Sequence, residues 1–167
     1  MDLKIGNKSQ GSQNFLAFYL NGKDYAFPIL KVNEVIVLPE ITPIPKAPSF
    51  MKGVINLRGQ IIPIIDLRVA LNMEETTYDK QTCIIIVKLE INNYEKFVGF
   101  IVDSVSEVFE INTTDIEQPS QYVANDFLSG IGKVKDKIIM LLNINEILPQ
   151  SDTESLMFYT SENCIDQ

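Results

Sequence analysis

FMKGVINLRGQIIPIIDLRVAL, running from Phe50 to Leu71, aligns without a gap on FLSGIGKVKDKIIMLLNINEIL, from Phe127 to Leu148, at a constant offset of 77 residues. Phe50 meets Phe127, Gly53 meets Gly130, and Ile61, Ile62, Ile64 and Ile65 meet Ile138, Ile139, Leu141 and Leu142. Asp66 meets Asn143, two side chains suited to cap a short helix after a strand. In the first copy Arg58-Gly59 separates two apolar runs, and Lys135-Asp136 does so in the second. Upstream, Phe27, Ile29, Val32, Glu34 and Val35 match Phe100, Val102, Val105, Glu107 and Val108 at an offset of 73. The chain therefore carries two copies of a strand–turn–strand unit. A β unit of about 70 residues is near the lower limit for an independent core, so the copies are expected to close into small barrels and share an apolar seam.

Outward from the repeat, the same alternation of short apolar runs and turn signals continues. Phe15–Leu20 and Asp24–Ile29 flank Asn21-Gly22, a strong hairpin signal. The run from Ile29 to Ile36 spaces its apolar residues for a turn or so of helix. Pro39, Pro43, Pro45 and Pro48 then exclude helix and allow only loop or edge strand. After a polar break at Asn72–Gln81, further strands are predicted from Cys83 to Ile91 and from Lys96 to Val102. Residues 1–14 are polar and read as a flexible arm, residues 15–150 as the folded domain made of two barrel subdomains at about 15–75 and 80–150, and residues 151–167 as a tail or short helix. With 23 Ile and 12 Val among 167 residues, an all-β class is favoured, because branched side chains suit pleated surfaces. The expected core includes Phe18, Phe27, Val54, Ile62, Ile64, Ile86, Phe100, Val102, Ile131, Ile139 and Leu141.

Charge and composition narrow the functional classes. Fourteen basic and 22 acidic side chains give a formal charge of -8, which argues against nucleic-acid phosphate binding as the main task. The chain has no His, so the commonest general base and metal ligand is missing. Cys83 and Cys164, far apart in the sequence, form neither a zinc pattern nor a disulfide framework. No catalytic, metal-binding or cofactor-binding residues are assigned. Glu34, Asp66, Asp103 and Glu107 each stand at an element terminus with a structural task available and no nucleophile beside them. The start of the chain lacks the apolar stretch of a signal peptide, and no run is long enough to span a bilayer. A cytoplasmic, non-enzymatic protein is expected.

KGVINLRGQIIPIIDLR, preceded by ILKVNEV and EITPIPKAPSF, resembles the hallmark of the CheW family of bacterial chemotaxis coupling proteins. KFVGFIVDSVSEV and DFLSGIGKVKDKIIMLLNINEIL in the second half agree with it, and the resemblance spans Phe15 to Leu148. It implies two SH3-like five-stranded barrels and an adaptor role. The implied partners are the cytoplasmic hairpin tip of a chemoreceptor and the regulatory domain of the histidine kinase CheA, with no nucleic acid and no direct membrane insertion. The implied location is the cytoplasm, at membrane-associated receptor arrays. A similar module serving another two-component or motility kinase is the alternative; a ligand-binding barrel with enzymatic activity is a third reading, which no phosphate loop or nucleophile constellation supports.

The resemblance also distributes residues between two surfaces. Val32, Glu34, Val35, Ile36 and Arg58 fall on the receptor side. Ile41, Ile44, Phe50, Lys52 and Gly53 fall on the kinase side. Each has a plainer reading. Arg58 is either a solvated turn charge or a planar fork suited to a partner carboxylate. Gly53 is expected to meet a backbone constraint, positive φ or a close approach, and the resemblance adds that a side chain there would block kinase docking; both can hold together. The segment from Glu40 to Pro48 is a loop, an edge strand or a surface preorganised by proline. Of Val32 and Val35, at least one is expected to face outward, since one short turn cannot bury every side.

Overall fold

The computed structural model describes residues 11–119 and 126–156. Their strands are β1 (Ser12–Leu20), β2 (Lys23–Pro28), β3 (Val32–Val37), β4 (Met51–Leu57), β5 (Gln60–Asp66), β6 (Cys83–Ile91), β7 (Tyr94–Val102), β8 (Ser104–Asn112), β9 (Ile116–Glu117), β10 (Leu128–Val134) and β11 (Lys137–Leu142). Among the described residues, α-helix is confined to Leu67–Ala70 and Gln150–Ser155. The all-β expectation holds, with two local differences. Ser12, Gln13 and Asn14, assigned to the arm, open β1 because their ladder to β8 continues to Ser12↔Asn112. The helical turn is confined to a 3-10 turn at Ile29–Lys31. Beyond it the branched side chains pair as a strand with β6. Cys164 and the apolar trio Met157–Tyr159 lie outside the described residues.

The repeat is reproduced in the hydrogen-bond register. The β4–β5 ladder pairs Met51 with Ile65 and Gly53 with Ile64, with a bulge between them. The β10–β11 ladder pairs Leu128 with Leu142 and Gly130 with Leu141, with the bulge in the same place. Both turns are two residues long with both residues at positive φ: Arg58 and Gly59 at 51° and 89°, Lys135 and Asp136 at 51° and 66°. This is the turn whose twist suits a hairpin. Asp66 caps the helix at Leu67 by accepting from the Arg68 N–H, and Asn143 likewise accepts from the Asn145 N–H.

The sheets, however, do not divide the chain near residue 77. One has the order β8-β1-β2-β11-β10-β9 and the other β3-β6-β7-β5-β4. Each copy lends its first hairpin to the sheet of the other. The chain leaves the first sheet at Pro28, where the 3-10 turn redirects it, and returns between β7 and β8 at Asp103. The exchange is matched: β5 lies parallel to β7 with Ile65 beside Phe100, and β11 lies parallel to β2 with Leu141 beside Ala26. Each sheet therefore draws strands from both halves of the chain.

Alternation of side chains along the strands produces three cores. Phe15, Ala17, Ala26, Phe109, Ile139 and Leu141 fill the interior of the first sheet. Ile55, Ile62, Ile64, Ile84, Ile86 and Ile101 fill the second. Between the sheets lies the larger seam, with Phe18, Phe27 and Phe100 at its centre; the Phe27 and Phe100 rings are 5.6 Å apart. Of the expected core, only Val54 and its repeat mate Ile131 are half-buried rather than buried.

Candidate functional site

The residues expected to meet a receptor lie on β3 and on the tip of the β4–β5 hairpin. Among the described residues β3 is an edge strand paired only with β6, which leaves its outer backbone open to a partner. Its side chains alternate between half-buried and exposed. Val35 is 41% exposed and Val37 80%, whereas Val32 packs on the seam and Ile36 on the interior of the second sheet. Val35 thus faces outward and Val32 does not. Arg58, 67% exposed, forms an ion pair with Glu34. The structure brings these two residues together from 24 positions apart, and the Arg58 fork is already engaged on one nitrogen. The turn beneath it is held by the Asn56 side-chain oxygen, which accepts from the Gly59 N–H at 2.9 Å.

A groove of about 550 Å³ runs beside β3 between the two sheets, lined by Tyr19, Val35, Ile36, Val37, Ser104 and Val105 and by Lys80–Cys83. Val35 and Ile36 are the only receptor-side expectations among its lining residues; Arg58 and Glu34 stand apart from it. Val37, Lys80, Gln81, Thr82 and Ser104 were not singled out from the sequence, and Val105 only as a repeat position. Val105 is the repeat mate of Val32, a signal that could have drawn attention to the second wall. Burial raises the pKa of the Cys83 thiol, which keeps it protonated and unreactive despite its place in the lining.

The kinase-side residues serve the fold more than the sequence suggested. Ile44 and Phe50 are half-buried against the seam, and Ile41 against the interior of the second sheet. Lys52 forms an ion pair with Glu75. Gly53 is buried, at φ 145°, and a Cβ placed on it would lie 2.1 Å from the Thr42 carbonyl oxygen. The backbone reading of Gly53 therefore holds. Gly53 lets the proline-rich segment seat on β4 through the paired hydrogen bonds of Thr42 and Val54, both 2.9 Å. That segment is a loop pinned by one bridge, which joins the loop and edge-strand readings.

The four carboxylates considered from the sequence have structural partners or lie apart. Glu34 pairs with Arg58. Asp66 and Asp103 converge on Arg68, a buried side chain that the sequence reading passed over. Glu107 is exposed on β8. Burial, and then its hydrogen bond to Asp66, push the Tyr78 hydroxyl well above its usual range. Among the described residues no group of His, Cys, Asp and Glu is arranged to hold a metal ion, and no helix is long and apolar enough to cross a membrane. The chemistry on offer is recognition: an exposed edge strand, a groove lined by both apolar and polar side chains, and an arginine at a two-residue turn.

Comparison with known proteins agrees with this geometry. The family model described as CheW-like domain matches residues 14–152. A relative named chemotaxis protein CheW, from Klebsiella aerogenes, is 34% identical over 152 residues, covering 89% of each chain. Another of that name, from Helicobacter pylori, is 30% identical over 152 residues, covering 88% of this chain and 90% of its own. The crystal structure of the scaffolding protein TtCheW from Thermoanaerobacter tengcongensis superposes with a TM-score of 0.73 at 36% identity, over 81% of this chain and 91% of that one. With a family model across most of its length and relatives of this similarity, the chain belongs to the CheW-like domain family of chemotaxis scaffold proteins.

Proposed function

We propose that this chain is a non-enzymatic adaptor that couples the cytoplasmic hairpin tips of chemoreceptors to the regulatory domain of the kinase CheA, in the cytoplasm at membrane-associated receptor arrays. The observation that carries this reading is the exposed edge of β3 beside the inter-sheet groove, where Val35 and Val37 present apolar surface without a partner. A helical hairpin laid along the groove would cover both valines and bring its polar flank to Lys80 and Arg58. Ile41, Ile44, Phe50 and Lys52, about the proline-rich segment, form the proposed kinase contact; the segment's prolines reduce the ordering cost of docking. Gly53 contributes by seating that segment.

The test is direct binding by calorimetry of the full chain to a receptor cytoplasmic hairpin and, separately, to the CheA regulatory domain. Both are expected to bind, with Val37→Asp weakening only the receptor and Ile44→Asp only the kinase. Binding of neither partner by a folded protein would overturn the proposal, as would equal loss of both partners in each folded variant.

A further inference from the structure

We infer that Arg68 is a positioning residue for the inter-sheet groove, holding its two walls at a fixed separation; this rests on the reading of the groove as the receptor contact. Arg68 is only 1% exposed in its side chain and lies in the short helix that follows β5. Its Nε and Nη2 donate to the two oxygens of Asp66 at 3.3 and 3.2 Å. The remaining reach of the fork goes in two directions. Toward one wall, Nη1 donates to the Thr76 hydroxyl and Nη2 to the Thr76 carbonyl at 3.1 Å. Tyr78 covers the guanidinium, its ring centroid 5.4 Å away, and donates its hydroxyl to Asp66 at 2.8 Å. The loop so anchored continues directly into Lys80, Gln81 and Thr82 of the groove lining.

Toward the other wall, Nη1 lies 3.3 Å from an oxygen of Asp103. Asp103 immediately precedes Ser104 and Val105, both groove residues. Its N–H donates to the carbonyl of Tyr19, a third, at 3.1 Å. Its other oxygen accepts from the Asn21 N–H at 2.8 Å, fixing the β1–β2 turn. One planar cation thus joins a loop of one wall to the chain crossing of the other. A flexible ammonium could not keep this set of directions at once.

The second copy of the repeat shows what the fold alone demands. Asn145 occupies the place of Arg68 at the offset of 77, and Glu90 lies in β6 next to its last residue, Ile91. There the Asn145 side-chain oxygen accepts directly from the Glu90 N–H at 3.1 Å. A neutral amide suffices to tie a hairpin to a helix start. Among the described residues the buried cation with two carboxylates stands beside the groove of about 550 Å³, although burying charge is costly unless every partner is in place. Asn145 and Glu90 line a smaller cavity of about 210 Å³.

The experiment uses the full chain with nitroxide labels at Gln81 and Glu107, on opposite sides of the groove, and spin–spin distances measured without ligand. Arg68→Met leaves Asp66 buried without its cation and is prone to unfold. The informative variants are therefore Asp103→Asn, which removes the charge facing Nη1, and Thr76→Val, which removes the hydroxyl bond but keeps the bond to the Thr76 carbonyl, with Asn145→Ala as the control in the second copy. Asp103→Asn and Thr76→Val are expected to broaden the distance distribution and to weaken receptor-hairpin binding by about 3- to 30-fold, while kinase binding stays within about twofold of the parent, less than the coupling range. Asn145→Ala should leave the distribution unchanged. An unchanged distribution in the folded Asp103 and Thr76 variants would overturn the inference, as would broadening with receptor affinity intact. If the parent chain binds no receptor hairpin, the proposed function fails separately, and the distances alone decide the positioning role.

Discussion

Replacing Gly53 by Ala isolates one methyl group whose cost can be worked out from the backbone. Gly53 sits at φ 145°, and the new Cβ would lie 2.1 Å from the Thr42 oxygen and 2.7 Å from its carbonyl carbon. These are backbone atoms, so no side-chain rotation relieves the clash. The strained φ costs about 1–3 kcal/mol. Moving Thr42 away also breaks its two hydrogen bonds to Val54, at about 0.5–1.5 kcal/mol each. The sum is about 2–6 kcal/mol. Gly130 provides an internal control at the same place in the repeat. Its added Cβ would meet chiefly the Ile116 Cγ2 at 2.6 Å, with backbone no nearer than 3.4 Å. Ile116 is half-buried and can shift, so Gly130→Ala should cost about 1 kcal/mol, the lower end of overpacking. Urea denaturation of both variants compares the two costs. Kinase binding in the folded Gly53→Ala protein should weaken through displacement of Ile41 and Ile44. Equal destabilisation by the two substitutions would refute the assignment of Gly53 as the seat of the proline-rich segment.

Other outcomes follow from the same geometry. Ile64→Ala, at a fully buried position, should cost about 2–5 kcal/mol in chemical denaturation. Arg58→Ala should change stability by less than about 1 kcal/mol, because its ion pair with Glu34 is largely exposed; receptor affinity should fall by about 2–4 kcal/mol if the turn is a binding hot spot, and unaltered binding in calorimetry would reduce Arg58 to a solvated turn charge. Tyr78 is held neutral in the folded state with its pKa raised from 10.0 by burial first and by Asp66 next. Its contribution to stability is therefore complete below pH 10 and is lost as pH rises from there toward the folded value. Denaturation midpoints measured from pH 9 to 11.5 (about the span in which an unfolded tyrosine ionises) should fall more steeply for the parent than for Tyr78→Phe.

Much of the architecture was legible in the chain because it is local or periodic. Asn21-Gly22 and Arg58-Gly59 could only be hairpin turns, and their φ values confirm it. The gapless repeat of Phe50–Leu71 in Phe127–Leu148 carried over into identical ladder registers and bulges. The site was less legible. Glu34 and Arg58 were named as separate residues, but that they neutralise each other depends on a strand and a turn from different hairpins meeting. Gly53 was read as a backbone position needing positive φ or a close approach, which its φ of 145° and the nearby Thr42 oxygen bear out, whereas Arg68 was missed because Asp103, which helps define it, arrives by a chain crossing.

What the sequence determined by itself is the unit: alternating branched apolar residues, turns of two residues, capped strand ends, and two copies each near the lower limit for an independent core. What only the tertiary structure decided is which copy completes which sheet. Ala26-Phe27 and Gly99-Phe100 offer a parallel partner strand the same register, so pairing within a copy and pairing between copies would bury matching faces. Local pattern cannot separate the two. The choice falls to the path of the chain, which the 3-10 turn at Ile29–Lys31 and the crossing at Asp103 carry from one sheet to the other. That crossing also opens the groove between the sheets and sets Asp103 against Arg68, because a side chain at a point where the chain changes sheets is necessarily within reach of both.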